Sequence, residues 1–128
     1  KVQNNNTGAN TAVGMRAGLA VSSGYSNTLL GSGAGATLST GYNNTYIGRD
    51  ADGASGRINS VALGHATTAQ ADNSVTLGNA SVTAVYAAQD GQATVYAGSV
   101  SGSGHLRMAG AVTGSVVKAT SGKFEGPY

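Results

Sequence analysis

The sequence predicts an all-β solenoid of short stacked coils, and three observations predict it. A pattern of five residues recurs five times: a small polar residue, a Thr or Val, any residue, an aliphatic residue and a Gly. The closing glycines lie 17, 17, 16 and 14 residues apart, too short a period for a pair of helices. The chain is rich in Gly, Thr, Asn and Val, all poor in helix interiors. Two strands of about five residues with two tight turns fill such a period.

The copies are Asn10-Thr11-Ala12-Val13-Gly14, Asn27-Thr28-Leu29-Leu30-Gly31, Asn44-Thr45-Tyr46-Ile47-Gly48, Ser60-Val61-Ala62-Leu63-Gly64 and Ser74-Val75-Thr76-Leu77-Gly78. The intervening segments match as well. Gly14-x-x-Ala17-Gly18 recurs as Gly31-x-x-Ala34-Gly35, and Gly24-Tyr25 recurs as Gly41-Tyr42. Alternation gives each strand an inward aliphatic side chain and an outward small one. Stacking then places Val13, Leu30, Ile47, Leu63 and Leu77 in one interior column. The recurrent Gly takes positive φ at a corner. Asn10, Asn27 and Asn44 stack into a polar ladder able to satisfy buried backbone groups.

A coil with one or two aliphatics buries little surface on its own, at about 25 cal/mol per Å². Ala17, Ala34 and Ala51 form a second face that lets another backbone approach closely. The expectation is that copies of the chain pack side by side, three in number.

Past Ser81 the pattern loosens. Ser81–Tyr86 and Ala93–Ala97 alternate like strands, joined by Gln89-Asp90-Gly91-Gln92, where Asp-Gly favours a hairpin turn. His105–Ala109 and Val112–Lys118 are further strand candidates, and Gly122–Tyr128 is a tail with turn signals. The organisation expected is a repeat region over 1–85 and a small C-terminal β tip or β-prism over 86–128, in which strands from three chains build one core.

Composition excludes several classes. Of 128 residues, 9% are charged, with seven Lys and Arg scattered rather than clustered, so no nucleic-acid stripe is present. No apolar run approaches the roughly 20 residues of a membrane-spanning helix, and no membrane insertion is expected. With no Cys there is neither a disulfide framework nor a thiolate metal site. Disordered chains are usually rich in charge and Pro, and this one has little of either. The opening Lys1-Val2-Gln3-Asn4-Asn5-Asn6 is no signal peptide and lacks an initiator Met, so it reads as an excised segment.

Catalysis has little to work with. The acids are Asp50, Asp52, Asp72, Asp90 and Glu125, and the Asp50/Asp52 pair reads as a polar corner rather than as glycosidase carboxylates. His65 and His105 are 40 residues apart, too few ligands for zinc within one chain, and His105 is the better candidate for a contact on a trimer axis. Gly31-Ser32-Gly33-Ala34-Gly35 and Gly102-Ser103-Gly104 lack the Gly-Lys-Ser/Thr of a phosphate loop. No metal, cofactor or enzymatic activity is expected. Sugars stack their C–H faces on aromatic rings and bond their hydroxyls to polar side chains. Tyr96, His105, Arg107, Phe124 and Tyr128 are the candidate ligand-binding residues on that ground.

Asn59-Ser60-Val61-Ala62-Leu63-Gly64-His65-Ala66 and, 14 residues on, Asn73-Ser74-Val75-Thr76-Leu77-Gly78-Asn79-Ala80 closely resemble the head repeat of trimeric autotransporter adhesins. The longer Gly-Tyr-x-Asn-Thr-x-x-Gly-x-x-Ala-Gly units resemble a repeat of phage tail fibres and tail-fibre-like bacterial adhesins. The resemblance covers residues 8–85. It implies a left-handed parallel β-roll wound as a homotrimer on an extracellular fibre, on a cell surface or a virion tail. It also implies a tip that recognises glycans or other receptors on a target cell. Fibres of this type often carry a C-terminal chaperone cleaved after assembly, and nothing in this chain looks like one. A purely structural spacer and a polysaccharide-cleaving tailspike-like domain are the competing readings.

Overall fold

The computed structural model of the chain describes residues 8–90 and 92–102. The chain divides into two compact units, the first ending at Gln92 and the second beginning at Ala93. The first is an all-β solenoid of about four turns. Its strands are β1 (Thr11–Val13), β2 (Thr28–Leu30), β3 (Thr45–Ile47), β4 (Ser60–Leu63) and β5 (Ser74–Leu77). They form one sheet in chain order, every neighbouring pair parallel. Among the described residues there is no helix.

The register is the register of the repeat. Thr11, Thr28, Thr45, Val61 and Val75 pair in one row, and Val13, Leu30, Ile47, Leu63 and Leu77 in another. Between them runs Ala12, Leu29, Tyr46, Ala62 and Thr76. The closing glycines stack immediately beyond. Gly14, Gly31, Gly48 and Gly64 have φ between 123° and 135°, a region closed to L side chains. A Cβ on Gly14 would also lie 2.5 Å from the Gly31 carbonyl group. Glycine recurs there because backbone stacks directly on backbone.

The interior differs from the expectation in two respects. Leu29, Tyr46 and Ala62, from the middle row, are fully buried, whereas Val13, Leu30, Ile47 and Leu77 are 57%, 45%, 37% and 47% exposed. The recurrent aliphatics therefore face out and the variable residue before each faces in. Alternation turns the middle residue of each strand inward and the residues flanking it toward the other face. Ala17, Ala34 and Ala51 are likewise buried within the coils, so their small size serves the fold of one chain. Val21, Leu38 and Ala69 complete the core.

Each coil also carries one strand of three or four residues, not two of about five. The second wall is reduced to the isolated bridges Tyr42↔Ile58 and Asp52↔Thr68. Two corner columns interrupt it with left-handed residues, Arg16, Gly33, Asp50 and Ala66 in one and Ser26, Asn43, Asn59 and Asn73 in the other. Asn tolerates this conformation through local hydrogen bonding; Ala does not.

The asparagine ladder forms as expected. Asn27 uses its whole hydrogen-bonding capacity. Its Nδ2 donates to Asn10 Oδ1 (3.1 Å) and to the Gly41 carbonyl (2.9 Å). Its Oδ1 accepts from the backbone N–H and the Nδ2 of Asn44, both at 3.0 Å. Asn44 Oδ1 then accepts from Ser60 N–H (3.0 Å) and Ser60 Oγ (2.7 Å), which ends the ladder.

Ser81–Tyr86 and Ala93–Ala97 do not form the expected strands. Val82, Val85, Tyr86, Val95 and Tyr96 are exposed. An extended segment becomes a strand only against a hydrogen-bonding neighbour, and the described residues supply none. The strand candidates at 105–109 and 112–118 and the tail at 122–128 lie outside the described residues.

Two outcomes follow for stability. Asn27→Ala strands the Gly41 carbonyl and the Asn44 N–H in a buried site, at about 2–4 kcal/mol for two unmade bonds; urea denaturation followed by circular dichroism measures it. Ala66→Gly relieves the left-handed backbone at φ 51° and raises stability by up to about 1 kcal/mol in the same assay.

Candidate interaction surface

The outward face of the sheet is built from the two rows that flank the buried one. One row is Thr11, Thr28, Thr45, Val61 and Val75, and the other is Val13, Leu30, Ile47, Leu63 and Leu77. Strand spacing in a sheet is about 4.8 Å, so the second row is a continuous aliphatic stripe. Scattered exposed aliphatics are ordinary on a protein surface; five aliphatics in register along one row set this face apart from the rest of the coil. No second layer of this unit covers it.

Of the expected ligand-binding residues, Tyr96 is described and is 94% exposed. It makes no hydrogen bond or ring contact among the described residues. His105, Arg107, Phe124 and Tyr128 lie outside the described residues, so no site is assembled from the five.

The remaining titratable groups serve corners. Asp52 accepts the backbone N–H of Thr37 and of Gly53, both at 2.9 Å. Asp50 lies 3.5 Å from Arg49 Nε. The Nη2 of Arg49 donates to His65 Nε2 at 2.7 Å, an arrangement that requires a neutral imidazole with its proton on Nδ1. Among the described residues no three His, Cys, Asp or Glu side chains group as metal ligands. Asp72 accepts from the backbone N–H of Ile58 (3.1 Å) and from Arg57 Nη1 (3.2 Å), and these bonds hold its pKa below the ordinary 3.8. Burial pushes the Tyr46 hydroxyl up, while its 3.1 Å hydrogen bond to Ser60 opposes the shift.

Two surface features escaped the sequence reading. Tyr25 and Tyr42 stack face to face with centroids 4.8 Å apart and planes 2° from parallel. Their shared place in the repeat was the available signal. A notch of about 280 Å³ opens beside Met15, Arg16 and Leu19. It is visible in an alignment only as small residues in the second coil between larger ones in the first and third.

Comparison with protein-family models, curated proteins and solved structures finds no match.

The Asp72 geometry sets a pH dependence. A carboxylate whose folded pKa is depressed contributes stability above its unfolded pKa and loses it as pH falls through the folded one. Carboxyl NMR titration places the Asp72 midpoint below 3.8, and Arg57→Gln moves it upward.

Proposed function

We propose that this chain is part of a trimeric, extracellular fibre adhesin that recognises glycans on a target cell without enzymatic action. The observation that carries the assembly is the outward stripe of Val13, Leu30, Ile47, Leu63 and Leu77. An aliphatic row left in water favours association at about 25 cal/mol per Å² covered. A three-fold axis along a left-handed roll brings each coil against the same coil of two sister chains. Leu30 then meets Leu30, and the mixed row becomes a set of matched layers. A perpendicular two-fold axis would oppose unlike coils instead.

The exposed apolar residues past Ser81 support the same reading. Val82, Val85, Tyr86, Val95 and Tyr96 are β-branched or aromatic residues set among small and polar ones, types that favour strands. In this reading the C-terminal segment becomes a β tip only in the trimer, and Tyr96, His105, Arg107, Phe124 and Tyr128 belong to its recognition surface. The likeness of the two Asn-Ser-Val-x-Leu-Gly units to adhesin head repeats supports a place on a cell surface or a virion tail. Three equal sites turn weak single contacts into avidity.

Sedimentation equilibrium tests the assembly. The expected result is three chain masses, with Leu30→Asp/Ile47→Asp reduced to a single chain because six carboxylates would be buried around one axis. A well-folded single chain from the unaltered sequence contradicts the proposal. Retention on an array of surface glycans tests recognition, and a trimer that retains none is a spacer.

A further inference from the structure

The notch of about 280 Å³ lies on the corner that follows the strands. It exists because the second coil is small where its neighbours are large. The first coil presents Met15, Arg16 and Leu19, and the third presents Arg49 and Asp50. Between them the second coil offers only Ser32, Gly33 and Ala36 as a floor. Gly33 has to be small: its φ is +71°, and a Cβ there would run into the Asp50 carboxylate. The volume falls just below the roughly 300–1,000 Å³ of drug-sized ligand pockets, and suits a single sugar residue better than a folded peptide.

Its chemistry is specific. Met15 and Leu19 are 72% and 62% exposed and form an apolar wall. Arg49 is held from two sides, by His65 at 2.7 Å and by Asp50 at 3.5 Å. The Arg16 side chain makes no hydrogen bond or ion pair among the described residues, and its guanidinium is free to form a forked pair with a carboxylate. Two arginines and one aspartate leave a single net positive charge, matched to a monoanion. The Asp50 carboxylate repels a phosphate dianion but accepts hydrogen bonds from neutral hydroxyls.

We propose that this notch binds one carboxylate-bearing sugar of a surface polysaccharide, with the sugar carboxylate on Arg16, a C–H face on Met15 and Leu19, and hydroxyls on Asp50 and Ser32. The proposal rests on the glycan-recognition reading and names its ligand class and a second location for it, on the coils rather than past residue 85.

Amide and arginine NMR signals of the assembled protein provide the test, with methyl glucuronoside, methyl glucoside and sodium acetate as probes. The two glycosides differ only in carrying a carboxylate or a hydroxymethyl group. Methyl glucuronoside shifts the signals of Arg16, Ser32 and Gly33 at millimolar concentration, while methyl glucoside and acetate are at least about tenfold weaker. Arg16→Gln weakens the glucuronoside about fivefold or more, and added salt weakens it further. Ala36→Met fills the floor and blocks binding while the circular dichroism spectrum is unchanged. Equal binding of the neutral glycoside, or full binding by Arg16→Gln, overturns the proposal. Glycan binding that maps only outside the notch refutes the notch and leaves the adhesin reading standing. Binding of no glycan anywhere refutes both.

Discussion

The narrowness of the coil governs everything else in this structure. A turn of 14 to 17 residues closed by tight corners leaves one apolar inward place at the middle of each of the first four strands. That place goes to Ala12, Leu29, Tyr46 and Ala62, whose sizes vary because each coil fills its own space. Tyr46 fits only because Gly53 stands opposite, where a Cβ would collide with the phenol oxygen. The flanking positions must face outward, and the chain places its most regular aliphatics there. The proposed assembly would cover that row.

Hydrogen bonding imposes the second condition. Parallel coils leave corner carbonyls and N–H groups inside the structure, and unpaired groups there are costly. The Asn10–Asn27–Asn44 ladder satisfies them with a side chain that donates and accepts at once. Its end coincides with the shortening of the period. Ser60 has a shorter reach than Asn; its N–H and hydroxyl donate to Asn44 Oδ1 at the end of the ladder, and its hydroxyl also bonds that of Tyr46. Ser74 in the next coil turns its hydroxyl to the nearby Ala71 carbonyl instead. The change from Asn to Ser and the change of spacing from 17 to 16 and then 14 are therefore one structural event.

Much of this was readable in the residues. The repeat fixed the parallel register pair by pair, and the glycine column and the ladder followed from what Gly and Asn do at corners. Which face of each strand pointed inward was misread. Val13, Leu30 and Ile47 are more hydrophobic and more regular than Ala12, Leu29 and Tyr46, and ordinary patterning assigns the regular hydrophobic row to the core. That rule assumes an interior large enough to hold the row. Ser81–Tyr86 is not a strand within the single chain, since alternation records a preference and not the presence of a neighbour. The notch was illegible because it arises from size differences between coils that sequence spacing does not express.

The inward and outward rows can be told apart with two cysteines, since the chain has none of its own. Leu29→Cys and Leu30→Cys, oxidised in the assembled state and run on a denaturing gel, report which row meets a second chain. The account predicts a covalent dimer band from Leu30→Cys and only single chains from Leu29→Cys. Cross-linking through Leu29→Cys, or none through Leu30→Cys, contradicts it.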